Sequence, residues 1–266
     1  MKSNTIYVVA KFEIIEHFKN KWMAIYGLSF FVLSNMIIYL GGANPLQASG
    51  SLLSLVLLLV PIFSLIFGSI SFTESLPFME LMSAQPVSRT KIYIGKILGL
   101  GIALSLSFLI GMGAAALLRM NYDANGSLIF SMLMGLGVIL SFIFISISFF
   151  VANLSTKKEL VFGLVMAIWF YFFVLHDLII FGVVVSLGDY PLEPFVLFMS
   201  FLNPIDLARV ALTLQMDLSS LLGASGAMIK HYFSGNLGVL LCSVVLFLWV
   251  FVPVLMGARL FKKRDL

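Results

Sequence analysis

The sequence predicts an all-α fold: a polytopic membrane protein with six transmembrane helices, an N-terminal interfacial helix, a short cytoplasmic helix after the second span and two short external helices before the last. Three observations predict it. Of 266 residues, 61% are hydrophobic and 11% charged, whereas globular domains sit near 25% charged. A soluble fold could not hide that much apolar side chain. Six stretches, at about 22–41, 51–73, 92–118, 127–152, 160–187 and 237–258, reach the about 20 apolar residues a helix needs to cross a hydrocarbon core. The basic residues, finally, alternate from side to side. With the N-terminus inside, Lys2, Lys11, Lys19, Lys21, Arg89, Lys91, Lys96, Lys157, Lys158, Arg259, Lys262, Lys263 and Arg264 all fall on the cytoplasmic side, and only Arg119, Arg209 and Lys230 fall outside. That bias sets the orientation and requires an even number of spans, because both termini are basic. The inner membrane is the expected location, and residues 1–266 read as one transmembrane domain.

The elements follow in order. In residues 5–21, Val8, Phe12, Ile15, Phe18 and Trp22 recur at helical spacing on one side, with Glu13, Glu16, His17 and Asn20 on the other. This is the pattern of a helix lying in the membrane interface; the alternative is the polar start of the first span. The apolar run from Trp22 to about Leu40 is longer than the about 7–15 residues of a signal-peptide core, so a retained first helix is expected despite the small residues Gly41-Gly42-Ala43.

The second span leads into ESLPFMELMSAQPVSRTK (74–91). Pro77 to Ala84 can form a short helix that Pro86 stops, since proline lacks a donor N–H and disfavours helix just before it. Ser88 is a candidate N-cap for the third span. Glu74, Glu80 and Arg89 surround apolar Phe78, Leu81 and Met82. Such a helix suits docking on another protein or lying on the membrane, and its acidic pair gains nothing from an anionic leaflet.

The fifth span contains His176 and Asp177. Ionisable groups at membrane depth are costly and commonly face protein or water. They line a path or lock the bundle, or else sit near the outer headgroups; Asp177 lies about 27 Å along the helix from Glu159, nearer the outer boundary than the midplane. Residues 188–236 are too apolar for a solvated loop. PFVLFMSFLNP (194–204) and LARVALTL (207–214) read as two short helices, followed by the Gly/Ser-rich LLGASGAM (221–228). Backbone at that depth must be covered by other helices or a partner chain.

No phosphate-binding loop, H-E-x-x-H, C-x-x-C or G-x-S-x-G occurs, so the chain offers no nucleotide, zinc-protease, redox or nucleophile-elbow motif. Cys242 is alone. The 14 methionines, Met79, Met82, Met199, Met216 and Met228 among them, are scattered as apolar filler is. The formal charge of +4 belongs to helix ends, so no nucleic-acid partner is expected. An intramembrane enzyme would need a second polar cluster facing His176 and Asp177, and the other spans offer only Ser and Asn.

The order of elements resembles the ABC-2 family of ABC transporter permeases. ELMSAQPVSRTKIYIGKILG (80–99) is similar to that family's stretch from coupling helix to third span, with Pro86, Val87, Ser88, Arg89, Gly95 and Lys96 in the recurrent places. Three further stretches resemble the branch that serves copper-site maturation of nitrous oxide reductase: K-x-E at Lys11 and Glu13; W-F-x-F-V-x-x-D-L at Trp169, Phe170, Phe172, Phe173, Val174, Asp177 and Leu178, with one residue inserted; and L-N-P-x-D-x-x-R at Leu202, Asn203, Pro204, Asp206 and Arg209. The resemblance implies a homodimer whose copies each bind a cytoplasmic ABC ATPase through the 74–86 loop, at Glu74, Phe78, Glu80, Leu81 and Arg89. ATP and Mg²⁺ would then sit on that partner and no cofactor on this chain. A periplasmic β-helix protein would contact 188–236 at Asn203, Pro204, Asp206 and Arg209. Asn203 and Asp206 are plausible caps of the second short helix, and Arg209 pairs either with a partner carboxylate or with Asp206 one turn away. A generic exporter of an apolar compound or lipid is the alternative within the family, and a membrane anchor without transport the alternative outside it.

Overall fold

The computed structural model describes residues 5–41, 45–83, 88–120, 124–187, 193–216 and 236–263. They form α1 (Thr5–Lys19), α2 (Lys21–Leu40), α3 (Pro45–Glu74), α4 (Leu76–Ser83), α5 (Arg89–Arg119), α6 (Ala124–Ala152), α7 (Lys158–Phe170), a π turn (Tyr171–Leu175), α8 (His176–Ser186), α9 (Glu193–Phe201), α10 (Pro204–Gln215) and α11 (Asn236–Lys263). No strand occurs among the described residues. Six helices are long and apolar enough to cross a bilayer: α2, α3, α5, α6, the continuous α7–π–α8 unit, and α11. With six crossings, α1 and the end of α11 share one face, here called the basic face after its Lys and Arg residues.

The first interruption falls at Asn20. Its side chain accepts the Trp22 N–H at 3.0 Å, capping α2 just after α1 has ended. So α1 is a helix in its own right and not the first turns of α2. The stop after α4 at Pro86 and the Gly/Ser stretch 221–228 lie outside the described residues. Ser88 stands at the N-cap position of α5 with extended backbone, yet its hydroxyl makes no capping bond.

Packing centres on α3, α5 and α6, with α2 laid on α5, and α11 against α6, α10 and α5. Two glycines set how close α2 comes. A Cβ on Gly111 would sit 2.2 Å from the Gly27 carbonyl, and one on Gly27 3.2 Å from the Ser107 carbonyl. Lipid gives helices no hydrophobic reason to associate, so close backbone approach over small residues supplies the contact. Near the basic face, Phe72, Tyr93, Phe149 and Phe261 from four helices pack edge-to-face or stacked with centroids 5.2–6.3 Å apart. Several buried hydroxyls turn back on their own helix, as Thr73 does to the Ser69 carbonyl and Ser146 to the Phe142 carbonyl. Ser148 instead crosses from α6 to the Leu65 carbonyl of α3 at 2.8 Å.

The fifth span is α-helical except at Tyr171–Leu175, where the His176 N–H reaches five residues back to the Tyr171 carbonyl. A π turn is one extra residue taken up without shifting the helix on either side. It lies inside the stretch WFYFFVLHDL, where the sequence carries its inserted residue. The external segment forms the two expected short helices, α9 and α10. From Pro204 to Leu214 all residues but Arg209 are buried, against α11, α6, α3 and α9.

Candidate functional site

Polar chemistry is concentrated at two places, one at each face. On the basic face, α1 turns Val9, Ala10 and Glu13 onto α5 and leaves Val8, Phe12, Ile15 and Phe18 exposed. The buried carboxylate of Glu13 receives the ammonium of Lys96, each side chain being only 3% exposed. The approach is permitted by Gly95 and Gly99. A Cβ on Gly99 would lie 2.4 Å from Glu13 Cβ and 2.8 Å from the Ala10 carbonyl, and one on Gly95 2.9 Å from Val9 Cβ. The second carboxylate oxygen of Glu13 is 3.3 Å from Nε2 of His17, which lies 3.4 Å from the Ser71 hydroxyl of α3. Burial alone would raise the Glu13 carboxyl; the His17 hydrogen bond and the Lys96 charge outweigh it and hold the group below its ordinary value.

This cluster floors a cavity of ≈ 300 Å³ between α1, α3, α4 and α5, lined also by Glu16, Asn20, Glu74, Ser75 and Phe78. Phe78 of α4 stacks on Phe12 of α1, with centroids 6.0 Å apart and planes 19° off parallel. Of the residues the sequence assigns to coupling, Glu74 ends α3 at the cavity wall, Phe78 closes it, and Arg89 opens α5. Glu80 and Leu81 lie on α4, with side chains outside the described residues. Sequence reasoning did not assign roles to Glu13 and Lys96. Both stood in recognisable stretches, K-x-E and G-K, but 83 residues apart; the structure makes the two stretches one contact.

At the opposite face, α8, α9 and α10 share a second network. His176 is 1% exposed, and its Nε2 lies 3.0 Å from the Met199 carbonyl. A carbonyl only accepts, so that contact puts the ring proton on Nε2. Arg209 Nη1 donates to Asp177 Oδ2 at 3.0 Å and stands 3.7 Å from Asp206 Oδ1. The expected local pair with Asp206 is therefore the longer of two, and the shorter reaches the fifth span. Asn203 accepts the Ile205 N–H at 2.9 Å, capping α10, and donates to the Phe172 carbonyl inside the π turn at 2.8 Å. Asp206 is in the first turn, where a carboxylate complements the helix dipole, rather than at the cap. Asn203, Pro204 and Asp206 are buried within the chain. Arg209 and Asp177, with side chains 31% and 42% exposed, are the members of this network that face outward.

Residues 6–266 match the family model described as ABC-2 family transporter protein. The chain is 26% identical over 277 residues to the "Probable ABC transporter permease protein NosY" of Pseudomonas aeruginosa, spanning 98% of this chain and 99% of that protein. It is 27% identical over 284 residues to the protein of the same name from Stutzerimonas stutzeri, with 98% and 99% covered. With six spans and a match from residue 6 to residue 266, the chain belongs to the ABC-2 family of transporter proteins and is a membrane permease subunit of an ABC transporter.

Proposed function

We propose that this permease is driven by a separate cytoplasmic ATPase and passes the motion to a periplasmic partner, in copper-site assembly of nitrous oxide reductase. The observation that carries the reading is the joint of α1, α4 and α5 on the basic face. A displacement of α4 reaches α1 through the Phe78–Phe12 stack. From α1 it reaches the third span through the buried Glu13–Lys96 pair. ATP and Mg²⁺ sit on the ATPase, closure of which pushes α4, and two permease copies shift against each other as rigid bodies. In this reading the chain lies in the inner membrane with both termini cytoplasmic, an orientation that the distribution of Lys and Arg supports.

On the periplasmic side, the Arg209–Asp177 and Asn203–Phe172 bonds tie α10 to the fifth span. A partner seated on 188–236, a β-helix protein of the NosD type, would feel that span move. The nitrous oxide reductase reading draws on the resemblance to NosY.

The test is affinity purification of the tagged protein from native membranes in mild detergent, followed by mass spectrometry. Recovery of an ABC ATPase together with a periplasmic β-helix protein supports the reading. An ATPase alone points to a generic exporter of an apolar compound or lipid. Absence of any ATPase would sink the coupling mechanism.

A further inference from the structure

The fifth span packs on α3 and, less, on α6; from the π turn outward it also meets α9, α10 and, through Phe172 on Trp249, α11, while much of its inner half stays exposed. Between it, α6 and α11 runs a cleft of ≈ 460 Å³, walled by Phe150, Leu164, Ala167, Trp249 and Met256 among others. Past Phe150 and Met256, which line both, the cleft continues into a second space of ≈ 750 Å³ bounded by Arg259, Leu260 and Lys262. The side chains lining the inner part are apolar apart from the Tyr171 phenol and the Trp249 indole. The single indole N–H of Trp249 is already given to the Phe201 carbonyl at 3.1 Å. Among the described residues, charge appears only at the mouth, where Arg259 and Lys262 are both exposed and no carboxylate lines either space.

The dimensions are informative. From Trp249 to Arg259 the helix rises about 15 Å, half of an about 30 Å hydrocarbon core and therefore one leaflet. An apolar slot one leaflet deep, ending at the membrane surface in two cations, complements a phospholipid chain below an anionic headgroup. Basic pockets between spans on the cytoplasmic side bind anionic lipid headgroups by this combination. We propose that the cleft between α7, α6 and α11 holds an acyl chain of an anionic phospholipid of the cytoplasmic leaflet, with its headgroup on Arg259 and Lys262. The inference rests on the orientation proposed above and not on the ATPase, the cargo or the periplasmic partner. The lipid would act as a wedge, holding the fifth span apart from the sixth.

The full-length protein is reconstituted in equal phosphatidylglycerol and phosphatidylcholine, extracted in mild detergent and examined by native mass spectrometry for retained lipid. Each cation near the surface is worth about fivefold, so phosphatidylglycerol should be retained about 25-fold over phosphatidylcholine. R259Q/K262Q should abolish the preference, and Ala167→Trp, which fills the slot, should abolish retention. Should Ala167→Trp fail to fold, Trp249 serves as a probe in the Trp22→Phe/Trp169→Phe background: chain-brominated phosphatidylglycerol should quench it more than chain-brominated phosphatidylcholine. Equal retention of the two lipids, equal quenching, or a preference untouched by R259Q/K262Q overturns the proposal. So does disulfide-linked dimer from Ala167→Cys in native membranes, which would give the cleft to a second copy. Labelling Lys262 from either side of sealed vesicles reads the orientation separately, so its failure is distinguishable.

Discussion

Glu13 and Lys96 carry the sharpest energetic statement available at single residues. Removing one member of a buried pair strands the other charge, at a cost of about 3–5 kcal/mol, whereas apolar replacement of both is often nearly neutral. Glu13→Gln or Lys96→Met alone should therefore lower thermal stability in detergent by several degrees, and Glu13→Leu/Lys96→Met should recover most of it. A double variant as unstable as the singles would remove the pair from the account. The pH dependence has a definite sign. The carboxyl is held below its ordinary value of 4.5, so its contribution is complete above that pH and lost as pH falls through the lower native value. Melting curves from pH 7 to pH 3 should show this loss in the wild type and not in Glu13→Gln. At the outer face, Asp177 and Arg209 are part-exposed, and pairs of that kind couple by about 0.2–1 kcal/mol. Their weight is thus expected in function: Asp177→Asn should reduce transport while membrane levels stay normal, and Arg209→Gln should add little to it. Full transport by Asp177→Asn would count against any role in coupling.

Among the helices, the sequence was most legible where length and apolarity suffice. All six spans, the α4 turn and the two short external helices stand within a few residues of their expected positions, because hydrocarbon forces every backbone group into a helix. Legibility ended where a residue answers to a distant one. Glu13 lies on the polar side of α1 by periodicity, which names no neighbour for it; that neighbour depends on α5 folding across it. Arg209 likewise had Asp206 one turn away, while Asp177 became its shorter partner only once the fifth span and α10 were packed. The glycines were readable as small residues but not as contacts. Gly99→Leu should push α1 off α5, since even a Cβ would fall 2.4 Å from Glu13 Cβ; overpacking of this kind costs about 1–3 kcal/mol or more. Limited proteolysis near Asn20 should then accelerate. Gly163 has open space around the same added atom, so Gly163→Ala should leave the cleavage rate unchanged.

For the molecule as a whole, the polar networks at the two faces are joined by the spans between them, and α4 is the part best placed to set them moving. Phe78→Ala removes the stack on Phe12 without touching the buried pair below it. Stimulation of the partner ATPase by the permease should fall severalfold while the protein remains folded and membrane-inserted; undiminished stimulation would place the contact elsewhere. The Glu13–Lys96 pair also has a consequence for biogenesis. Its two halves are separated by 83 residues, which at about 5–20 residues per second emerge roughly 4–17 s apart. During that interval α1 has left the ribosome with a carboxylate that lacks Lys96 and an exposed apolar stripe, and α2 and α3 are made before its anchor exists. The amino-terminal helix is thus among the first segments synthesised and among the later ones fixed in place, so a chain arrested before α5 would carry an unmoored α1 for quality-control machinery to recognise.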